Sequence, residues 1–187
     1  MVGAPIRFAA VAAFSLLASA CASAPDYTPD FTAADEPAAP AVDGVQIVEP
    51  STPISCVPYA RDHSGIDIHG DALTWLDQAK GRYAVDSAPS KGAIIVLTGY
   101  AGAGRGHLAI VRAQDSAREI RVDHANWMND GNIYLNDPIV DVSPDNDWSA
   151  VRVWNARDHS WGVRTYLVQG FIGPGADGDQ TRVAGQF

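Results

Sequence analysis

Near Gly92 the apolar residues of the chain change period, from the three-and-four spacing of a helix to the two-residue alternation of a strand. Before that point, Cys56, Tyr59 and Ala60 share one face if a helix begins near Ser55, which would cap it. Pro58 then falls in the first turn, where its missing N–H costs little, and Gly65 ends the element. Ala72, Trp75, Leu76 and Ala79 give a second apolar face between Gly70 and Lys80, with Gly81 after it. Beyond Gly92 the pattern predicts strands at Ala93 to Leu97, Leu108 to Ala113 and Glu119 onward toward Trp127. Asn129-Asp130-Gly131 reads as a turn, followed by strands at Asn132 to Leu135, Trp148 to Val153 and Val163 to Phe171. Helices first and strands later is an α+β order, here N-terminal helices packed on a small bent antiparallel sheet.

The ends differ from this centre. Arg7 is the lone charge ahead of a short apolar run over residues 8–20, the pattern of an export signal over residues 1–24. Its exit has two readings. Cleavage after Ala24 discards Cys21. Cleavage before Cys21 follows Leu17-Ala18-Ser19-Ala20, resembles a lipoprotein signal and leaves Cys21 as an acylated first residue for outer-membrane attachment. Residues 25–49 combine Pro, Ala and acids without sustained periodicity and read as a flexible linker, with a weak edge strand at Gly44 to Glu49. The domain is expected over residues 50–172, and residues 173–187 form a loose tail. Periplasm or cell envelope is the expected location, with secretion as the alternative.

Charge excludes one partner class. The net charge is -9, but Asp26, Asp30, Asp35, Glu36 and Asp43 all precede the domain. Neither the domain nor the ends carry a basic patch, so nucleic acid is not an expected partner.

Three short segments carry the chemistry. In either reading of the export signal Cys56 has no partner within the chain, and an unpaired thiol in an oxidising compartment is a liability unless it is deeply buried, paired between chains or used as a reactive thiol. At a helix start its pKa should fall, which suits a nucleophile that attacks a carbonyl to give a thioester. His107 follows Arg105-Gly106 and opens an apolar strand on which His107, Ala109 and Val111 share a face. That placement suits a general base. In Asp123-His124-Ala125-Asn126-Trp127, alternation puts His124 and Asn126 on one side and Asp123 on the other. His124 is the preferred group to orient the His107 ring, with Asn126 as a second polar contact; a register shift would bring in Asp123 instead. Trp127 serves either as a cleft wall or as core. Tyr59 shares the Cys56 face, and Arg61 either supports the site electrostatically or lies on the surface. His63, His69 and His159 have no metal-ligand spacing, and no metal or cofactor is expected.

Taken together, Cys56-Val57-Pro58-Tyr59-Ala60-Arg61 with Ser64-Gly65, Gly70-Asp71-Ala72 through Trp75 to Gly81-Arg82-Tyr83, Pro89 with Gly92-Ala93-Ile94-Ile95-Val96, Gly106-His107-Leu108-Ala109-Ile110-Val111, and His124-Ala125-Asn126-Trp127 leading to Gly131-Asn132-Ile133-Tyr134 resemble the CHAP family. These are the cysteine, histidine-dependent amidohydrolases and peptidases of the NlpC/P60-like, papain-like superfamily. The resemblance implies that fold, with Cys56 as nucleophile and His107 as base. A glutamate is frequent in the family at the place of His124, with an asparagine two positions later, here Asn126. It also implies peptidoglycan as substrate, cut at the muramoyl-L-alanine amide or within the stem or cross-bridge peptides. The alternatives are a cysteine amidase or peptidase acting on another amide, and a non-catalytic envelope module. A protein activator is a further partner that the sequence leaves open.

Overall fold

In the computed structural model residues 37–174 are described, so the export signal, Cys21 and most of the C-terminal tail lie outside the described residues. The first strand, β1 (Gln46–Val48), lies on an edge, as the weak pattern before Pro50 predicts. Helix α1 (Cys56–Ser64) follows. Ser55 occupies its N-cap position with extended backbone but makes no capping side-chain bond, and Gly65 ends it at φ 70. The second predicted helix is shorter than its apolar face. A single 3-10 turn at Ala72–Thr74, capped by Asp71, leads into α2 (Trp75–Ala79).

The strands are β2 (Val85–Asp86), β3 (Ile94–Thr98), β4 (Gly106–Gln114), β5 (Glu119–Ala125), β6 (Ile133–Asp141), β7 (Ala150–Asn155), β8 (Ser160–Trp161) and β9 (Tyr166–Ile172). They pair antiparallel in the order β6-β5-β4-β3-β9-β7, and β7 pairs back onto β6 through Ile139, Val140 and Asp141. The sheet therefore closes into a six-stranded barrel. This corrects the expected papain-like α+β arrangement of helices on a small bent sheet, because the helical part is two short helices and the sheet has no open pair of edges. Alternation fixes which residues face inward, but it does not say whether the first and last strands meet. Closure depends on bulges that bend the strands. One falls in β4 between Val111 and Ala113, one in β6 opposite Val122 and His124, and one in β9 at Val168 to Gly170.

Two faces of these strands make two cores. Inward-facing Ile95, Leu97, Ala109, Val111, Ile120, Val122, Ile139, Val151 and Phe171 fill the barrel. Outward-facing Ile94, Val96, Leu108, Ile110, Ile133 and Leu135 receive Tyr59, Ala60, Trp75 and Ala79 from the helices. Each large apolar side chain buried there contributes roughly 1.5–3 kcal/mol. Gly106 sits at the seam. A Cβ there would lie 2.9 Å from the backbone nitrogen of Leu73, so only glycine allows the 3-10 turn to press against the start of β4.

Candidate active site

The Cys56 thiol is free, half-buried and at the first residue of α1. The backbone N–H groups of Leu108, Cys56 and Val57 and the charge of Arg105 favour its thiolate, but burial is the larger influence and pushes its pKa up. The helix-start argument thus gives the right contributors and the wrong net direction, because the same packing that places the helix start against β4 removes the sulfur from water. Leu108 is the residue after His107, so the thiol lies against the peptide that carries the imidazole.

His107, the second residue of β4, points into the mouth of the barrel and is buried. Its ring is walled by Tyr100 at 4.8 Å, Trp127 at 4.8 Å and His124 at 5.1 Å between centroids. Its Nε2 is 3.0 Å from His124 Nδ1, while its Nδ1 has no hydrogen-bond partner among the described residues. Burial, reinforced by the neighbouring His124, drives its pKa well below the ordinary imidazole value. The ring is therefore neutral near pH 7 and available as a base.

His124, fully buried in β5, turns its Nε2 to Asp137 Oδ2 at 3.1 Å. Alternation predicts the side that His124 takes. Asp123, on the opposite side, accepts from Arg112 Nε at 2.8 Å and from the Asn136 backbone N–H at 2.8 Å. The Asp123 assignment is therefore not the arrangement found. Asn126 does not reach the imidazoles either. At φ 60 it turns the chain, its Oδ1 accepts from the Gly131 N–H at 2.8 Å, and its carbonyl accepts from the Tyr100 hydroxyl. Trp127 is both wall and core, buried and in contact with the two histidines. Tyr59 is buried under α1 against His63, and Arg61 is turned to His69 and Asp62 on the exposed side of that helix.

Two residues of this arrangement are absent from the sequence reading. Tyr100 lies in the glycine-rich connection, where an aromatic has no periodic neighbours to mark it; its hydroxyl donates to the carbonyls of Asn126 and Trp127 and so holds the wall in place. Asp137 lies in Asn136-Asp137-Pro138, just past the predicted strand at Asn132 to Leu135 and outside every predicted element. The signal that could have found it is an acid flanked on both sides by strand-like apolar residues, Ile133-Tyr134-Leu135 before and Ile139-Val140 after.

Beside the helix start a cavity of about 390 Å³ is lined by Pro53, Ile54, Ser55, Asn126, Asn129, Asp130 and Gly131. Gly131 is required there, since a Cβ would meet Pro53 at 2.5 Å. Burial opposes ionisation of Asp130, but hydrogen bonds from Tyr134 and Arg157 outweigh it and hold the carboxyl below its usual range. Asp130 is thus ionised, with its charge paired to Arg157. Among the described residues no group of three or more His, Cys, Asp and Glu side chains is arranged to hold a metal ion.

Residues 48–126 match the family model of the CHAP domain, a stretch that contains Cys56, His107, His124 and Asn126 and stops before Asp137. No curated protein and no solved structure matches the chain. The order of cysteine and histidine, their placement on a helix start and an adjoining strand, and this family match together identify residues 48–126 as a CHAP-family domain, and the protein as a cysteine-dependent hydrolase.

Proposed function

We propose that the protein hydrolyses an amide bond of peptidoglycan, either the muramoyl-L-alanine bond or a peptide bond of the stem or cross-bridge, through a thioester on Cys56. The observation that carries this is the buried, hydrogen-bonded imidazole pair at His107 and His124, on strands adjoining the helix start whose Cys56 thiol meets the Leu108 backbone N–H. His107 Nδ1 takes the Cys56 proton as sulfur attacks the carbonyl carbon. The imidazolium then gives that proton to the departing amine as the C–N bond breaks and the thioester remains. Water attacks the thioester with His107 again as base, releasing the carboxylic acid and restoring the thiol. His124 holds the His107 ring in orientation throughout. The cavity beside Ser55 is the place for the peptide on one side of the scissile bond.

Export is part of this proposal, with Cys21 as the acylated residue that attaches the protein to the outer membrane. The domain has little positive charge with which to hold an anionic wall, and a lipid anchor replaces that attraction. Turbidity of purified sacculi should fall in the presence of the protein, continue to fall in EDTA, and stop once iodoacetamide has modified Cys56. Sacculi left intact by unmodified protein would remove the substrate assignment.

A further inference from the structure

We propose that Asp137 is a positioning residue that sets the tautomers of both histidines and so leaves the lone pair of His107 on Nδ1, the nitrogen not engaged by His124. This rests on the catalytic roles given above to Cys56 and His107.

The argument is one of hydrogen-bond direction. Burial pushes the Asp137 carboxyl up from its ordinary value while His124 and Arg121 oppose that shift. In its ionised form it can only accept, so His124 Nε2 then carries the proton where it meets Asp137 Oδ2. A neutral His124 then has its lone pair on Nδ1. His107 Nε2, 3.0 Å from that atom, must donate to it. The His107 lone pair is left on Nδ1, the nitrogen with no partner among the described residues. With Asp137 replaced by a side chain that donates, every bond in the series can reverse. His107 Nδ1 then carries a proton and cannot accept one from sulfur.

Asp137 has the placement of a group held for this purpose. Its side chain is fully buried on the inner face of the barrel. His124 is its hydrogen-bond partner, and its Oδ1 has none. The charges of the neighbouring strand that act on it, both from the opposite face, are Arg121, which favours the carboxylate, and Asp123, which opposes it. Arg121 is bound to Asp115 and Glu119, and Asp123 to Arg112, so no cation is bonded to the Asp137 carboxylate. An apolar residue would be cheaper at such a position if the barrel's stability were the only requirement. The backbone is also shaped for it. Tyr134 pairs with His124 and Asp137 with Val122, so β6 spends one residue more than β5, and Asn136 at φ 57 takes up the extra residue. That bulge shifts the alternation by one and brings Asp137 to the inner face beside His124 and Val122.

During acylation the Cys56 proton moves to His107 Nδ1, and the imidazolium shares its Nε2–H with His124 Nδ1. The carboxylate polarises the far side of His124, and no proton leaves the series. When the amine departs the same proton goes with it.

The test is Asp137→Asn in the whole protein, assayed on purified sacculi beside wild type, Cys56→Ala and His107→Ala, together with ¹⁵N NMR of the histidine side chains. Wild type should show both His107 and His124 protonated on Nε2. Asp137→Asn should lower kcat on the order of 10- to 100-fold with KM nearly unchanged, and should shift the ¹⁵N signals toward Nδ1 protonation. A wild-type spectrum with His107 protonated on Nδ1 overturns the proposal, and it does so even if the variant fails to fold. Wild-type kcat and tautomers in Asp137→Asn, with Cys56→Ala and His107→Ala inactive, also overturn it while leaving the catalytic roles standing. Full activity in Cys56→Ala would instead remove the roles on which the proposal rests.

Discussion

At Cys56 and His107 burial decides the protonation states. The thiol is pushed up and the imidazole is pushed well down, so at neutral pH both groups are uncharged, and in the proposed mechanism the proton moves during attack. The sign follows directly. A base with a lowered pKa stays unprotonated to lower pH, so kcat/KM should hold its plateau below the ordinary imidazole value of about 6.5 and fall only in more acidic solution. A raised thiol pKa means that iodoacetamide alkylation of Cys56 should still accelerate above about pH 8.5, where an ordinary thiol is already half ionised. Alkylation that reaches its plateau near pH 6 would show instead a thiolate–imidazolium pair in the free protein. Cys56 at a helix start and His107 opening an apolar strand are legible in the sequence as the candidate nucleophile and base. The net pKa of the thiol is not carried that way, since it depends on how tightly the helix start packs on β4.

At the scale of elements, the site is a contact between the start of α1, the start of β4 and the 3-10 turn before α2. Gly106 is where the last two meet. Gly106→Ala would force Leu73 outward, cost about 1–3 kcal/mol, and displace His107, its immediate neighbour. A fall in melting temperature accompanied by a larger relative loss of activity is the expected result; unchanged stability would mean that the turn can yield without cost. Strand alternation predicts that His107, Ala109 and Val111 share a face and that His124 lies opposite Asp123, and the two cores divide along those lines. Where the strand pattern fails is β6. Asn136-Asp137-Pro138 has turn composition, but the left-handed Asn136 absorbs an extra residue and lets the strand continue through Pro138 to Asp141. A bulge needs only local backbone geometry and leaves no periodic trace, so both Asp137 and the length of β6 are hidden from the pattern.

For the whole molecule, closure of the barrel is the property least visible in the sequence, because it requires β3 to pair with the distant β9, Ile94 opposite Ile172, while β7 pairs with both β6 and β9. Closure is what gives the site its interior. The imidazoles and Asp137 sit against a dry core rather than on an open sheet, which is why burial dominates their chemistry. The proposed anchor belongs to this scale too. Globomycin treatment of expressing bacteria should accumulate an unprocessed lipidated precursor, and unchanged processing would rule out acylation at Cys21. The claim that the chain is a thioester-forming peptidoglycan hydrolase is tested most directly by the mass spectrum of products released from purified sacculi, wild type beside Cys56→Ala. The account predicts fragments with one newly exposed amine and one new carboxylate per cut, present with wild type and missing with Cys56→Ala. The same fragments in equal amount from both proteins would contradict it.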